Sequence, residues 1–221
     1  EVRARSRRLR MRLAPRNQIM LGVDRLDYTK GIDIRLRAYH EMLQAGTITA
    51  DRCALVQVAV PTREYVPEYQ ELRSRIERIV GEIDGEFGEL GCMPVQYLHR
   101  NQPTEEIVAL YLAADVMLVT PLRDGMNLVA KEYVACRRDD TGALVLSEFA
   151  GAAHELRDAL IVNPHDIDAV KRTIETALKM PLDQQKRRMK AMRRVIKKND
   201  VFHWAGSFLK ALQHANVGTK A

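Results

Sequence analysis

Six short apolar runs alternate with longer amphipathic segments between residues 18 and 166 of the chain. The runs carry almost no charge, which is typical of strands that are buried on both faces of a sheet. Because strands that alternate with helices form parallel sheets, the pattern predicts an α/β fold with a doubly wound, six-stranded, Rossmann-like sheet. We expect the strands at 18–23, 54–60, 95–98, 116–119, 143–146 and 160–162.

Helices are expected where apolar residues recur three or four positions apart. The expected ranges are about 34–43, 66–83, 104 onward, 128–136, 167–180, 182–198 and 201–215. Gly85 and Gly88 are predicted to end the second of these helices, and Thr104 to cap the third. The last three helices follow the final strand and therefore add to the sheet domain at its C-terminus.

This order of elements divides the chain into three parts. Residues 1–16 are rich in arginine and compatible with a helix, so we expect a lead-in from a domain that precedes them. Residues 17–200 contain all the predicted strands and form the predicted sheet domain. Residues 201–221 are expected to be a C-terminal helix and tail, with Trp204 and Phe208 on one face of the helix.

Length and composition exclude several classes of protein. The chain has 221 residues, 46% of them hydrophobic, which is enough for one sizeable core. Cys53, Cys92 and Cys136 are too few and too scattered for a disulfide framework or a metal site, which favours a reducing cytoplasm. The histidines are not at metal-ligand spacing, and no apolar run approaches the length of a transmembrane helix. We therefore expect neither a metal nor a membrane span.

The formal net charge of +6 raises the question of nucleic-acid binding. Much of the excess lies in residues 3–16 and 186–198, and the second tract places Met189, Met192 and Ile196 on one helical face with bases elsewhere. No aromatic residues are interleaved with these bases for stacking, so a solvated helix face is favoured over a nucleic-acid binder. The nucleic-acid alternative predicts binding that depends steeply on salt.

The loop between the fourth predicted strand and the helix that follows it is the best candidate for a binding site. Gly125 allows the backbone to turn and to approach a ligand closely. The free N–H groups at the start of the helix, with the positive end of its dipole, favour an anion such as a phosphate. These N–H groups belong to Met126, Asn127, Leu128 and Val129.

Two carboxylates near this loop suit hydroxyl groups rather than phosphate. Asp124 lies at the lip of the loop, and Glu132 lies about one turn inside the helix, where it could accept hydrogen bonds from a ribose diol. Together they indicate a ligand that carries both phosphate and sugar. The alternative is that Asp124 and Gly125 form only a turn and that Asn127 is only a helix cap.

A second charged loop follows the first predicted strand. Arg25 and Lys30 project from it and could neutralise two neighbouring phosphates. The alternative is that Asp24 and Asp27 in the same loop pair with these bases. A third loop, at 147–153, contains a glycine and alanines that would permit a close approach at another strand end.

Taken together, these loops resemble those of the trehalose-6-phosphate synthases, retaining glycosyltransferases of the two-domain GT-B type. The resemblance rests on residues 24–32, Arg63, residues 120–135, residues 147–153 and residues 159–164. It implies that this chain is the carboxyl-terminal, donor-binding half of such an enzyme, with residues 201–215 as the crossover helix. The amino-terminal domain, which supplies most of the acceptor pocket, would lie outside the chain.

The resemblance also implies a role for each candidate residue. Arg25 and Lys30 would hold the diphosphate of the donor and compensate the charge of the leaving group. Asp124 would bind glucose hydroxyls, beside the amides of Gly125, Met126 and Asn127. The amides of Leu128 and Val129 would meet the phosphate, Glu132 the ribose and Ile107 the border of the base. Arg63 would reach the phosphate of the acceptor, glucose 6-phosphate.

The implied reaction transfers glucose from UDP-, ADP- or GDP-glucose to glucose 6-phosphate, giving trehalose 6-phosphate with retention and without a cofactor. This half alone is expected to bind the donor but not to turn over. An exposed apolar face on the last helix could favour a homo-oligomer. Two alternatives stay open: another GT-B transferase with a different acceptor, and a non-catalytic regulatory subunit that binds nucleotide sugars.

Overall fold

The computed structural model describes residues 1–13 and 18–217 of the chain. Its sheet has six strands in the order β3-β2-β1-β4-β5-β6. All neighbouring strands are parallel. The predicted α/β fold with a doubly wound parallel sheet is therefore confirmed. The strands are β1 (Gln18–Arg25), β2 (Cys53–Val60), β3 (Val95–Leu98), β4 (Val116–Val119), β5 (Ala143–Ser147) and β6 (Leu160–Val162).

The helices follow the predicted order, with ends that differ by up to four residues. They are α1 (Val2–Leu13), α2 (Ile32–Gln44), α3 (Pro67–Phe87), α4 (Thr104–Ala113), α5 (Leu128–Cys136), α6 (Ile167–Leu178), α7 (Leu182–Lys198) and α8 (Val201–Val217). Gly85 lies inside α3 rather than ending it, because a single exposed glycine costs only about 1 kcal/mol and Ile83 on the same helix is buried. Thr104 is the first residue of α4 and not its cap. Pro103 occupies that position, and its carbonyl accepts from Glu106 and Ile107.

Two hydrophobic layers cover the two faces of the sheet. One contains residues of α2, α3 and α6, such as Leu36, Ile76 and Ile174. The other contains residues of α4, α5 and α7, such as Tyr111 and Met192. A large apolar side chain contributes about 1.5–3 kcal/mol when it is fully buried, so these layers are the main source of stability. They hold the ends of the strands in fixed positions.

The strand order creates a crevice at one edge of the sheet. The connection from β1 leads towards β2, and the connection from β4 leads towards β5, so the chain leaves these two adjacent strands in opposite directions. Ligands of open α/β sheets bind at such a switch point, outside the carboxyl ends of the strands. Both loops that the sequence indicates as phosphate sites end at this crevice.

The first and last helices lie outside this framework. α1 packs on α4, where Arg5 forms an ion pair of 3.0 Å with Glu106. The apolar residues of α8 are exposed, among them Phe202 at 81% and Trp204 at 55%. The predicted boundary after residue 16 and the tail after residue 217 fall outside the described residues. The division into three parts stays a prediction, as does the homo-oligomer.

Candidate functional site

The loops that follow β1 and β4 are joined directly across the crevice. The amide of Leu122 donates to the carbonyl of Thr29 at 2.7 Å, and the hydroxyl of Thr120 donates to the carbonyl of Gly31 at 3.3 Å. Gly31 has a φ of 59°, and a Cβ there would lie 2.3 Å from the carbonyl oxygen of Thr120. Only glycine permits this approach, so the contact between the two loops depends on it.

The loop after β4 is also held by the loop after β5. The amide of Asp124 donates to the carbonyl of Phe149 at 3.1 Å, and the amide of Gly151 donates back to the carbonyl of Asp124 at 2.9 Å. A Cβ on Gly151 would lie 2.1 Å from the carbonyl oxygen of Gly125. The predicted close approach at residues 147–153 is therefore present, and it is made to the loop after β4.

Gly125 itself does not play the conformational part that the sequence indicates. Its φ is not positive, and a Cβ there would meet nothing within 4 Å. The left-handed residue of this loop is Asn127, with a φ of 71°. The open space around Gly125 leaves room for a ligand on the exposed side of the loop.

Asn127 caps α5 and still leaves donors free. Its side-chain oxygen accepts from the amide of Ala130 at 3.0 Å. The sequence predicts that the backbone amide of Met126 is free. It instead donates to the carboxylate of Asp124 at 3.3 Å. Within residues 1–13 and 18–217, the amides of Asn127, Leu128 and Val129 have no acceptor. The helix cap is confirmed, and it is compatible with anion binding, which stays a prediction: the cap satisfies one amide and three remain at the positive end of the helix dipole.

Lys30 and Asp124 form an ion pair across the crevice, with 2.6 Å between Nζ and Oδ2. The side-chain Nδ2 of Asn127 also donates to this carboxylate, at 3.1 Å. Partial burial raises the pKa of Asp124, but the Lys30 ammonium and the hydrogen bonds outweigh it, so the pKa lies below its ordinary value. Asp124 is therefore an oriented carboxylate at neutral pH.

The acidic residues of the loop after β1 do not pair with its bases. Asp24 pairs with Arg35 at 2.6 Å. Asp27 accepts from the amide of Thr29 at 2.9 Å and caps a short 3₁₀ turn. The alternative that these acids neutralise Arg25 and Lys30 is wrong. The side chain of Arg25 is exposed at the end of β1 and has no hydrogen-bond partner in the described part of the chain, so its guanidinium is available to an anion.

Sequence reasoning missed the buried guanidinium of Arg35, which lies beneath the two loops. It is fully buried and donates to Asp24 at 2.6 Å, to Thr120 at 3.1 Å and to the carbonyl of Lys30 at 3.0 Å. A signal was present in the sequence. Position 35 lies three residues after Ile32 and four before Tyr39, on the apolar face of α2, where an arginine is out of place.

Glu132 lies one turn inside α5 and is held by a buried tyrosine. The hydroxyl of Tyr111, which is 1% exposed, donates to the Glu132 carboxylate at 3.0 Å. Ile107 lies on the same helix as Tyr111 and packs against the hydrophobic layer on this face. The carboxylate therefore has a fixed direction at the edge of the crevice.

Arg63 follows β2 on the same edge of the sheet, beside β1. It is exposed and has a φ of 48°, which is strained for a residue with a Cβ. Its guanidinium donates to the hydroxyl of Tyr69 at 2.6 Å and lies over the Tyr69 ring. Tyr69 in turn donates to Asp27 at 3.2 Å. This chain of contacts links Arg63 to the loop after β1.

No group of three or more His, Cys, Asp or Glu residues in the described part of the chain could hold a metal ion. No helix there has both the length and the apolar composition to cross a membrane.

The sequence profile of glycosyltransferase family 20 matches residues 1–214. The chain belongs to glycosyltransferase family 20. It is 58% identical over 212 residues to the trehalose-6-phosphate synthase of Mycobacterium avium, an alignment that covers 96% of the chain and 43% of that relative. The resemblance to trehalose-6-phosphate synthases is confirmed, and the chain spans less than half the length of this curated relative.

Solved structures of the family share the fold. An α,α-trehalose-phosphate synthase (UDP-forming) from Burkholderia xenovorans, in complex with glucose-6-phosphate, has a TM-score of 0.89 and 39% identity, over 96% of this chain and 49% of that one. A structure described as trehalose-6-phosphate from E. coli bound with UDP-2-fluoro glucose has a TM-score of 0.88 and 40% identity. The match covers 96% of this chain and 49% of that one. The GT-B assignment of the family 20 chain therefore rests on both sequence and structure.

Proposed function

We propose that this chain is the donor-binding half of a trehalose-6-phosphate synthase that transfers glucose from UDP-glucose to glucose 6-phosphate. The observation that carries the proposal is the convergence at one crevice of the Lys30–Asp124 pair, the free guanidinium of Arg25 and the three free amides of Asn127, Leu128 and Val129. A nucleoside-diphosphate sugar needs these groups together: cations and amides for the diphosphate, and a carboxylate for the sugar. UDP is the first choice because the Burkholderia relative is described as UDP-forming.

The cations act on the leaving group. As the bond between the anomeric carbon and the diphosphate oxygen breaks, negative charge grows on the diphosphate, and Arg25 and Lys30 stabilise it. The Lys30 ammonium has three N–H donors, so it can bind a phosphate oxygen while it stays paired with Asp124. The acceptor hydroxyl enters on the face from which the diphosphate departs, which retains the anomeric configuration.

The remaining groups orient the donor. The Asp124 carboxylate accepts hydrogen bonds from glucose hydroxyls, with the backbone of Gly125, Met126 and Asn127 beside the sugar. The amides of Leu128 and Val129 bind a phosphate at the start of α5. Glu132 accepts hydrogen bonds from the ribose diol, and Ile107 borders the base.

The acceptor contact available from this half is Arg63, whose guanidinium would bind the phosphate of glucose 6-phosphate. The strained backbone and the hydrogen bond to Tyr69 hold this side chain at the crevice edge. The rest of the acceptor pocket would come from the part of the relatives that this chain does not span. We expect the chain alone to bind donor without turnover, to use no metal or cofactor, and to act in the cytoplasm.

Calorimetric titration tests the proposal. The chain should bind UDP saturably in moderate salt and should bind UDP-glucose more tightly, with ADP, GDP and their glucose conjugates as comparisons. In Asp124→Ala, the advantage of the glucose conjugate over UDP should disappear while UDP still binds. Failure of all six ligands to bind the wild-type chain would contradict the proposal.

A further inference from the structure

We propose that Arg35 is a positioning residue of the donor site, which sets the place of Lys30 opposite Asp124 from beneath the two loops. This role rests on the proposed function, whereas the contacts of Arg35 are observed among the described residues. It assigns a role to a side chain that lies below the crevice and cannot reach the ligand itself.

The guanidinium joins the two loops at their roots. Its Nη2 donates to the carbonyl of Lys30 at 3.0 Å, and its Nε donates to the hydroxyl of Thr120 at 3.1 Å. The same hydroxyl donates to the carbonyl of Gly31. Lys30 is thereby fixed at both ends, because its carbonyl is held by Arg35 and its ammonium by Asp124. Thr120 begins the loop that leads to Asp124, so one side chain sets both partners of the ion pair.

A buried ion pair is a weak source of stability for a core. Arg35 and its partner Asp24 have side chains that are 0% and 3% exposed, and removing two such ions from water costs several kcal/mol each. Apolar residues of similar volume often stabilise a fold as well or better. Strand β1 has a glycine, Gly22, where the Arg35 side chain packs against it. A Cβ on Gly22 in β1 would lie 2.3 Å from both the Arg35 Nη1 and the Gln57 Oε1.

A second buried arginine shows what a purely structural role looks like and provides a matched control. Arg137 is 4% exposed and donates to the carbonyls of Leu112 at 2.8 Å and Ala114 at 3.1 Å. These groups lie just before β4 starts, at the opposite edge of the sheet from the crevice. α5 separates Arg137 from Asn127 by roughly 13 Å of helix. Loss of Arg137 should therefore affect stability alone.

The test compares Arg35→Lys, Arg137→Lys and the double variant Asp24→Leu/Arg35→Met, which removes the buried pair without leaving one charge alone. UDP affinity is measured by calorimetry and stability by thermal melting. We expect Arg35→Lys and the double variant to bind UDP about tenfold more weakly, because a charge-assisted contact is misplaced. The double variant should melt near the wild-type temperature. Arg137→Lys should melt lower and bind UDP as the wild type does. Wild-type affinity in the double variant would overturn the proposal.

A readout without ligand separates this inference from the proposed function. The titration of the Asp124 carboxyl carbon by NMR reports whether Lys30 is still paired with it. In the double variant the pKa of Asp124 should rise, because Lys30 is displaced while the hydrogen bonds from Met126 and Asn127 remain, whereas in Arg137→Lys it should not change. If the wild-type chain fails to bind UDP, the proposed function fails. An unchanged Asp124 titration in the double variant would then overturn the role of Arg35 independently.

Discussion

The loops after β1 and β4 face each other across the crevice, but different interactions hold them. Besides the main-chain hydrogen bond from Leu122 to Thr29, the loop after β1 is fixed by side chains: the Arg35 guanidinium at the carbonyl of Lys30, and the Asp124 carboxylate at its ammonium. The loop after β4 is fixed by main-chain hydrogen bonds to the loop after β5. The first loop offers cations, whereas the second offers mainly N–H groups of the backbone. Substitutions that change only a side chain should therefore have larger effects at Arg25 and Lys30 than at the residues of the second loop that offer backbone N–H groups.

Lys30→Ala should have the largest effect on donor binding. It removes a cation from the diphosphate and leaves the Asp124 carboxylate uncompensated beside it, so UDP affinity should fall about a hundredfold. Calorimetry with UDP measures the loss. The double variant Lys30→Ala/Asp124→Asn should recover part of it, because the repulsive carboxylate is gone. An effect no larger in the single than in the double variant would argue against the shared role of the pair.

Arg25→Ala should reduce UDP affinity by about tenfold, less than the loss at Lys30. The guanidinium is exposed, so solvent and salt screen it, and the loss should shrink as the salt concentration rises. Because the side chain of Arg25 has no partner in the described part of the chain, the melting temperature should not change. Unchanged affinity for UDP would refute the assigned contact with the diphosphate.

The comparison of the two loops also shows what the sequence could and could not predict. The strands and the loops at their carboxyl ends follow from apolar runs and glycine positions, which are local signals. The partners of the charged groups do not. Lys30 and Asp124 are 94 residues apart in sequence, and only the strand order brings them together. Asp24 and Asp27 lie nearer to Lys30 in sequence, but neither forms an ion pair with it.

Local capping chemistry was predicted in part, for a related reason. The alternative that Asn127 is a helix cap is confirmed as far as the cap itself, and this signal is local because the side chain acts within three residues. The glycine that the turn requires is Gly31 rather than Gly125, since the constraint is the carbonyl of Thr120 across the crevice. A constraint of this kind depends on tertiary contact and leaves no local pattern. Arg35 is intermediate, because its position on an apolar helix face was visible in the sequence while its partners were not.

Acidification should weaken the contact between the two loops. The pKa of Asp124 is lowered in the folded state, so this carboxylate contributes stability above its unfolded pKa of about 3.9 and loses that contribution as the pH falls through the folded value. Urea denaturation of the wild type and of Asp124→Asn should give a constant difference in the free energy of unfolding between about pH 7 and pH 5. The difference should shrink below about pH 4. A difference that stays constant down to pH 2 would show that the carboxylate has no ionised partner.

Leu128→Ala should have the smallest effect and is the sharpest test of the loop after β4. The side chain is 59% exposed, and we assign only its N–H group to the phosphate. UDP affinity should therefore stay within about twofold of the wild type, because alanine keeps that donor and suits a helix. Leu128→Pro removes the donor at the first helical position, where proline is best tolerated, and should lower the affinity by about tenfold. Melting curves check that α5 keeps its cap in both variants. If alanine weakens binding as much as proline does, the nucleotide contacts the side chain, and this loop does not act through its backbone.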